Sequence, residues 1–527
     1  MTHSDRADHK PPVLVIGGGP VGLTVALLLA RHDVPTVVLE QRRERSDAPR
    51  AHVINPRSLE IYRSLDFDVP AMIEGSAAPQ DDTVSHFDWR ITGARFGSVP
   101  FERHDDTHTP HPRINLKQPD LERILLREVA RSPLVDLRVG HRVTGLVDEE
   151  KIAVATVLDD DKEYEISGEY VLACDGANSE VRERLGIEMH GQPDVQSCLT
   201  IHFEGSLRNL VGDRPGMFYW AVGAKLPGLF LAYDIDKTWV YISLMAPKVV
   251  PSAEEARDIV HDALGTDRVD IAVRHVSPWL MTAQVADRYR DGRVFLLGDA
   301  AHRFPPSGGL GLNTGIQDAH NLAWKIKAVM SGWAGDQLLD TYEAERRRVA
   351  EINTEQSLAN AASAVQVFQL RENSPQEEWD RAIAGMYDSL NSLALQIGFT
   401  YAEEPAPHKS VQEYVPRAVP GDRLPHAWLD GPGEHRSTLD LLDPRSFTLL
   451  LGQGGAAPEA DLGDAPLTVV ALDAELGLPS WWMGLTGLDG AGAVLVRPDG
   501  HIVARTTDAG AAGQDSLRRS LRALLGS

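Results

Sequence analysis

The stretch Val13-Leu14-Val15-Ile16-Gly17-Gly18-Gly19-Pro20-Val21-Gly22 decides the fold of this chain. Its first four residues are typical of a buried strand, and the glycines lead into LTVALLLAR, which is typical of a helix. Gly17 allows a tight turn, Gly19 lets the backbone approach a pyrophosphate, and Gly22 lets the helix lie close to the strand. The order of strand, glycine turn and helix predicts a Rossmann-like dinucleotide-binding unit.

A second apolar segment, Thr36-Val37-Val38-Leu39, ends at Glu40, which lies 18 residues beyond Gly22. A carboxylate at this place accepts hydrogen bonds from both hydroxyls of an unphosphorylated ribose and would repel a 2′-phosphate. The nucleotide is therefore FAD or NAD rather than NADP, and these residues do not separate the two. The alternative is an ordinary βαβ turn without a ligand.

A segment far downstream favours FAD. The apolar strand 293–297 runs into Gly298-Asp299-Ala300-Ala301-His302 and then into a loop rich in proline and glycine. Asp299 can bind a polyol at the end of its strand, and the loop glycines allow the backbone to approach a flat ligand. From Leu312 onward the apolar spacing predicts a helix, whose N-terminus would stabilise the negative charge of a reduced flavin by about 1 kcal/mol.

A third motif, Asp175-Gly176-Ala177-Asn178-Ser179-Glu180-Val181-Arg182, follows the apolar segment 170–174. With these motifs in this order, the sequence resembles the class A flavoprotein aromatic hydroxylases from about residue 12 to about residue 400. It is most similar to their phenol hydroxylase branch, which includes 2,4-dichlorophenol 6-monooxygenase. The resemblance implies an FAD-dependent monooxygenase that uses NADH or NADPH and O2 to hydroxylate a phenolic substrate through a flavin C4a-hydroperoxide.

The resemblance also assigns cofactor contacts. Asp299 would hold the ribityl chain, Arg50 of the segment PRAHVIN would lie near the cofactor, and Gln118 would contact the ribityl or phosphate region. Arg50 could instead pair with a surface acid, and Gln118 could merely begin its helix. Asp175 is expected to organise its loop rather than to act in catalysis. The predicted cofactor-binding residues are Gly17, Gly19, Pro20, Val21, Gly22, Glu40, Gln41, Arg42, Arg50, Gln118, Asp175, Asp299, Pro306, Gly309, Gly311, Leu312 and Asn313.

Two residues are predicted to be catalytic. Deprotonation of a phenol requires a base, and His52 of PRAHVIN is the candidate because an imidazole titrates near neutrality. The alternative is a neutral histidine that bridges backbone groups. Arg303 is a candidate for binding the substrate or the nicotinamide, whereas His302 is expected to brace the GDAAH loop.

We predict an α/β protein with a GR2-type, Rossmann-like FAD-binding domain, an inserted β-sheet domain that covers the substrate, and a thioredoxin-like C-terminal domain without a CxxC motif. The predicted units are a disordered tip at 1–12, the FAD-binding domain at 13–190 and 280–400, the β-rich domain at 190–280 and the C-terminal domain at 410–527. The segments MFYWAVGA, LFLAYDID and TWVYISLM are predicted strands. Substrate candidates by location alone, each of which could instead be a core residue, are Tyr219, Trp220, Phe230 and Met245.

Composition excludes several classes of protein. The net charge of −24 argues against nucleic-acid and anionic-membrane partners, because phosphate binding requires a basic surface. Two cysteines in 527 residues predict neither a disulfide scaffold nor a metal site, and no secretory signal or apolar run of about 18 residues is present. We therefore expect a cytoplasmic protein that binds an aromatic small molecule and forms a homo-oligomer, with a dimer favoured.

Other enzymes share part of the pattern. A flavin-dependent halogenase would need a WxWxIP segment, which the sequence lacks, and a geranylgeranyl reductase would not be expected to keep PPSGGLGLN. A pyridine-nucleotide dehydrogenase explains Glu40 but leaves Asp299 without a purpose. A silent flavin-binding or ligand-binding protein stays open. So do O-demethylation and oxidative decarboxylation, the choice of nicotinamide, and a role in natural-product tailoring or aromatic catabolism.

Overall fold

The computed structural model describes residues 10–45, 51–102, 107–404, 409–429, 436–455 and 464–526. Most of the tip that was predicted to be disordered, and Arg50, lie outside these ranges. The described helices are Pro20–Arg31, Pro56–Ser64, Val69–Glu74, Gln118–Arg131, Glu180–Arg184, Arg208–Val211, Ala253–Leu264, Leu310–Met330, Gln337–Phe368, Gln376–Ala384, Tyr387–Leu390, Leu393–Ile397, Ser480–Thr486 and Ala511–Leu525. In these ranges, no helix combines the length and the apolar character needed to span a bilayer.

A six-stranded sheet, called here the cofactor sheet, carries the glycine turn. Val13–Ile16 pairs in parallel with Thr36–Glu40 on one side and with Val171–Ala173 on the other. Its strands, in order across the sheet, are Arg290–Asp291, Val294–Leu296, Val171–Ala173, Val13–Ile16, Thr36–Glu40 and Val135–Val139. The carboxyl ends of parallel strands lie at one edge, so the three motifs meet there although they are far apart in the chain.

An eight-stranded sheet, called here the roof sheet, contains the three predicted aromatic strands, which are thereby confirmed. Its strands, in order, are His302–Arg303, Ala272–Ala286, Met189–Glu204, Thr238–Ser243, Gly228–Asp234, Phe218–Ala221, Val84–Asp88 and Arg95–Pro100. The sheet thus draws strands from outside residues 190–280. Helix Ala253–Leu264 packs on its outer face, beginning with a Ser252/Glu255 capping box and ending at Gly265 with φ +78°.

Smaller sheets accompany these two large ones in the described chain. An antiparallel sheet, which the sequence did not predict, contains His141–Asp148, Ala153–Asp159 and Lys162–Gly168. Val53–Ile54 pairs with Ile114–Asn115, and Trp428–Leu429 pairs with Arg436–Ser437. The first of these short pairs joins the PRAHVIN segment to the strand that precedes Gln118.

The C-terminal part forms a four-stranded sheet, which we call the C-terminal sheet. Its strands, in order, are Leu467–Ala471, Phe447–Leu451, Ala493–Val496 and Ile502–Thr506, with the first pair parallel and the others antiparallel. This order and these directions are thioredoxin-like, as predicted. One face packs on helix Ala511–Leu525 and on Trp324, and the other packs on Trp482.

Candidate functional site

The glycine turn has no room for side chains at two of its positions. A Cβ on Gly17 would lie 2.3 Å from the Cys174 carbonyl oxygen, and a Cβ on Gly22 would lie 2.0 Å from the Gly17 carbonyl oxygen. Gly19 differs, because a Cβ there would meet no described atom within 4 Å. It precedes Pro20 and Val21 in the first turn of helix Pro20–Arg31, so an open space lies in front of that helix N-terminus.

The acid at the end of the second strand is held rigidly. Glu40 accepts hydrogen bonds from the backbone N–H groups of Gly18 and Arg42, each at 2.7 Å. The side chains of Gln41 and Arg42 are exposed. The Glu40 carboxylate is therefore fixed beside the glycine turn, with lone pairs left for ribose hydroxyls.

Arg45 was missed by the sequence reasoning. Its Nη2 lies 3.4 Å from where a Cβ on Gly18 would be, is buried, and has no hydrogen-bond partner among the described residues. Its Nη1 donates to Glu122 at 2.9 Å, and Glu122 in turn accepts from Gln118 at 2.8 Å. The only signal in the sequence was the basic composition of the residues after Glu40.

Two arginines join the DG motif to the GDAAH motif. Arg182 donates to the carbonyl oxygens of Ala177 at 3.2 Å and Ala300 at 3.1 Å. Arg303 also donates to the Ala177 carbonyl, and its Nη1 lies 3.5 Å from the Gln284 amide oxygen. Both guanidinium groups therefore act on the loop backbone, and burial lowers the pKa of each.

The two motif acids have different surroundings. Asp175 accepts from the Val181 N–H at 3.2 Å, and burial raises the pKa of its carboxyl group. Asp299 is exposed in the 3-10 turn Gly298–Ala300, directly after strand Val294–Leu296. Asp175 thus organises its own loop, whereas Asp299 is accessible at the edge where the motifs meet.

The loop after GDAAH ends at Gly309, which precedes helix Leu310–Met330 with φ +64°. Gly309 N–H donates to the Pro306 carbonyl at 3.1 Å, and a Cβ on Gly311 would meet no described atom within 4 Å. Leu312 is half-buried in the first turn. Glycines at these positions keep the helix N-terminus open to a flat ligand.

Asn313 braces the loop. Its Nδ2 donates to the carbonyls of Val53 at 2.8 Å and Gly309 at 2.7 Å, and its Oδ1 accepts from Asn55 N–H and from the Ser58 hydroxyl. Since the whole amide is engaged within the protein, the side chain joins the PRAHVIN segment to the loop.

His302 contacts Asp318, which the sequence did not single out. His302 Nε2 lies 2.7 Å from Asp318 Oδ2, and this oxygen also accepts from Gly298 N–H at 3.1 Å. Arg346 Nε donates to the other oxygen at 2.8 Å. Burial acts to raise the pKa of Asp318, but His302 and Arg346 outweigh it and hold that pKa below its usual value.

His52 lies on the side of the roof sheet opposite to helix Ala253–Leu264. Its Nδ1 is 3.1 Å from Asn115 Oδ1, and Asn115 Nδ2 donates to the Ala232 carbonyl at 2.9 Å. The imidazole makes edge contacts with the rings of Phe218 and Tyr233, with centroid distances of 5.9 and 5.4 Å. Burial lowers the pKa of His52 to about 4, so the ring is neutral near pH 7, whereas the sequence had predicted an imidazole that titrates near neutrality.

Strand alternation sorts the predicted substrate residues. Tyr219 and Phe230 are fully buried on the outer face, against helix Ala253–Leu264. Trp220 projects from the inner face but packs on Phe87 and donates to the Ser85 hydroxyl at 3.1 Å. Met245 is 47% exposed, beyond the end of its strand. Phe218 and Tyr233, which the sequence reasoning missed, are the aromatic residues beside His52.

The residues at the edge of the cofactor sheet where the motifs meet fit FAD. The open backbone at Gly19 and Gly311 leaves space for a pyrophosphate and a flat ring, and the unpaired buried Nη2 of Arg45 requires an acceptor. Arg50 cannot be placed, because it lies outside the described residues.

Comparison with known proteins agrees with this fit. Residues 10–357 match the family model described as an FAD binding domain, and residues 417–527 match the one described as the C-terminal domain of aromatic-ring hydroxylases. The chain is 30% identical over 576 residues to 2,4-dichlorophenol 6-monooxygenase of Delftia acidovorans, covering 97% of this chain and 98% of that protein. It is 31% identical over 555 residues to aklavinone 12-hydroxylase RdmE of Streptomyces purpurascens, covering 98% and 99%.

A solved structure shows the same fold. The flavin-dependent monooxygenase PieE, crystallised with FAD and substrate, superposes with a TM-score of 0.90 and 28% identity over 98% of this chain and 99% of that one. The predictions of fold class and of FAD as cofactor, with NAD(P)H and O2 as co-reactants, are confirmed. The chain therefore belongs to the class A FAD-dependent aromatic hydroxylases, which are flavoprotein monooxygenases.

Proposed function

We propose that this monooxygenase hydroxylates a phenolic substrate held between the loop 303–309, called here the flavin loop, and the inner face of the roof sheet, with His52 as the base. The observation that carries this proposal is the position of His52, hydrogen-bonded to Asn115 and flanked by two aromatic rings. When bound, FAD accepts electrons from NAD(P)H and activates dioxygen. The protein must bind and orient the ring, exclude water, and move the phenolic proton.

The cofactor contacts follow from the geometry of the edge where the motifs meet. Glu40 would accept from the ribose hydroxyls, and Arg45 together with the N-terminus of helix Pro20–Arg31 would hold the pyrophosphate. Asp299 would bind the ribityl hydroxyls, and the N-terminus of helix Leu310–Met330 would face the flavin ring. Gln118 supports Arg45 through Glu122.

The hydrogen bonds around Asn115 determine which nitrogen of His52 carries the proton. Asn115 Nδ2 is committed to the Ala232 carbonyl, so its Oδ1 faces His52 and accepts from Nδ1–H. Nε2 is then the unprotonated nitrogen and accepts the substrate proton. Phe218 and Tyr233 exclude water from this position, which strengthens the hydrogen bond to the phenol.

Arg303 is better supported as a positioning residue than as a ligand of substrate or nicotinamide. Its guanidinium is already committed to Ala177 and Gln284, and its strand pairs with Ala272–Ala286 of the roof sheet. It therefore joins the roof sheet to the DG loop. A displacement of strand Ala272–Ala286 would then be transmitted to the DG motif through Arg303.

Two sizes of aromatic substrate are candidates for the space beside His52. The relatives named above act on a chlorophenol and on aklavinone, so both a small phenol and a polycyclic aromatic compound are candidates. The aromatic rings beside His52 suit a planar ring. O-demethylation and decarboxylative hydroxylation would use the same binding geometry on a substituted phenol.

We also propose a cytoplasmic location and a homodimer. The location is supported by Cys174 and Cys198, which are both unpaired thiols. Sedimentation of the purified protein would test the dimer directly.

The first test is NAD(P)H oxidation by the purified flavoprotein in air, with a panel of phenols and polycyclic aromatic compounds. We expect one class to stimulate oxidation and to yield a product heavier by one oxygen, as measured by mass spectrometry. Binding of FAD without any stimulated oxidation would support a silent flavin-binding protein and contradict the proposal.

Replacement of His52 tests the base. We expect His52→Ala to lower kcat by about 10²-fold to 10⁴-fold, with a residual rate that rises toward alkaline pH as the substrate ionises by itself. In the native enzyme, kcat should be flat from pH 8 down to about pH 5 and fall as His52 is protonated near its pKa of about 4. The matched control is His86→Gln, because burial also lowers the pKa of His86 to about 4 but this ring packs on the outer face against Tyr219. An unchanged kcat in His52→Ala would favour the bridging histidine.

The strand register predicts opposite effects for two phenylalanines. Phe218→Leu, on the inner face, should raise KM by about tenfold with little loss of stability. Phe230→Leu, on the outer face, should lower the free energy of unfolding by about 1 to 2 kcal/mol with KM unchanged. Steady-state kinetics and thermal unfolding of both variants measure these effects. A raised KM in Phe230→Leu with an unchanged KM in Phe218→Leu would place the substrate pocket on the outer face.

Gly19→Ala tests the pyrophosphate site. The added methyl group meets no described protein atom, so the apoprotein should unfold at an unchanged temperature, whereas the FAD dissociation constant should rise at least about tenfold. Gly484→Ala, which also adds a methyl group into open space but in helix Ser480–Thr486, is the control and should bind FAD normally. Equal FAD affinity in the two variants would contradict binding of the pyrophosphate at this turn.

A further inference from the structure

A hairpin turn of the C-terminal sheet is buried, although turns usually lie on the surface. The turn Arg497-Pro498-Asp499-Gly500-His501 links strands Ala493–Val496 and Ile502–Thr506. Arg497, Asp499 and His501 are only 4, 2 and 1% exposed. Three ionisable side chains in a buried turn require partners. Arg497 and Asp499 find theirs in the part of the chain that matches the FAD binding domain, whereas His501 Nδ1 lies 2.9 Å from the Gly421 carbonyl oxygen.

Arg497 and Asp499 both form hydrogen bonds with residues outside the turn. Arg497 donates to both oxygens of Glu345, at 2.6 and 3.0 Å, and also pairs with Asp499. Asp499 accepts from the Trp324 indole at 3.1 Å, and its carbonyl accepts from Arg57 at 2.7 Å. The turn therefore contacts three separate helices that support the cofactor site.

The first path from the turn leads to the GDAAH motif. His501 stacks on Tyr401, with the ring centroids 4.1 Å apart, and Arg346 Nη1 lies 3.2 Å from the Tyr401 hydroxyl. Arg346 donates to Asp318 and to the Thr314 carbonyl, in the second turn of helix Leu310–Met330, called here the flavin-facing helix. Asp318 in turn accepts from His302 and from Gly298 N–H.

A second path reaches the other side of the same loop. Arg57 lies in helix Pro56–Ser64, and its guanidinium bridges Glu60 and the Asp499 carbonyl. Asn55 caps the N-terminus of this helix, and its N–H donates to Asn313, as does the Ser58 hydroxyl. Both supports of the flavin loop thus end on one turn of the C-terminal sheet.

We propose that the Arg497–His501 turn positions the flavin loop through Tyr401, Arg346, Asp318 and His302, and so sets the affinity for FAD and the reduction potential of the flavin. None of these side chains is a catalytic residue, since each acts through another. The inference depends on FAD binding and not on His52 or on the substrate, so it can fail while the proposed hydroxylation stands, and the reverse is also true.

The mildest interruption of the first path is Tyr401→Phe, which removes one hydroxyl and keeps the stacking on His501. We expect the FAD dissociation constant to rise about threefold to tenfold, the flavin absorption band and midpoint potential to shift, and H2O2 release without substrate to change. The unfolding temperature of the apoprotein should stay close to that of the native chain. The control is Tyr387→Phe, which removes a hydroxyl bonded to Glu102, away from both paths.

A second variant, Asp499→Asn, acts from the far end, and its combination with Tyr401→Phe forms a double-mutant cycle. Effects on the FAD dissociation constant that are less than additive support one connected path. A native midpoint potential and native FAD affinity in Tyr401→Phe, with or without a lower unfolding temperature, would overturn the proposal and reduce the turn to a packing contact. Should Asp499→Asn fail to fold, the comparison of Tyr401→Phe with Tyr387→Phe decides alone.

Discussion

One buried carboxylate, Asp318, holds the flavin end of the site together. Its two oxygens accept from His302 and the backbone of Gly298, both in the GDAAH turn, and from Arg346 in the helix Gln337–Phe368. A buried charge without partners would be strongly destabilising, whereas three donors keep this one ionised and rigid. The GDAAH turn, the flavin-facing helix and the long helix Gln337–Phe368 are therefore held in one arrangement, on which the position of Asp299 depends.

The surroundings of His52 depend on a different constraint, the two-residue period of a strand. In the strand Phe218–Ala221, one residue faces helix Ala253–Leu264 and the next faces His52. A shift of one position exchanges the two faces completely. The pairing of Tyr219 with Phe230 and of Phe218 with Leu231 determines which aromatic residues are core and which lie beside His52.

The C-terminal sheet is joined to the rest of the described chain through one charged turn. It lacks a CxxC motif, so the dithiol chemistry of thioredoxins is absent. What it contributes is a buried, charged turn whose partners are Glu345, Trp324 and Arg57. Such a turn is costly to bury unless every charge is paired, and the pairing joins this part of the chain to the flavin loop.

The sequence by itself determined the βαβ unit, the three motifs, FAD as cofactor and the aromatic strands, because these rest on local patterns of glycine, apolar period and terminal acids. It also predicted His302 as a brace. Tertiary structure alone decided which face of the roof sheet meets His52, that Asn115 contacts its Nδ1, that Arg45 lies beside the glycine turn, and that Asp318 and the Arg497–His501 turn meet side chains from distant parts of the chain. These depend on contacts between residues far apart in the chain, and a charged residue looks the same in sequence whether its partner is water or a buried ion.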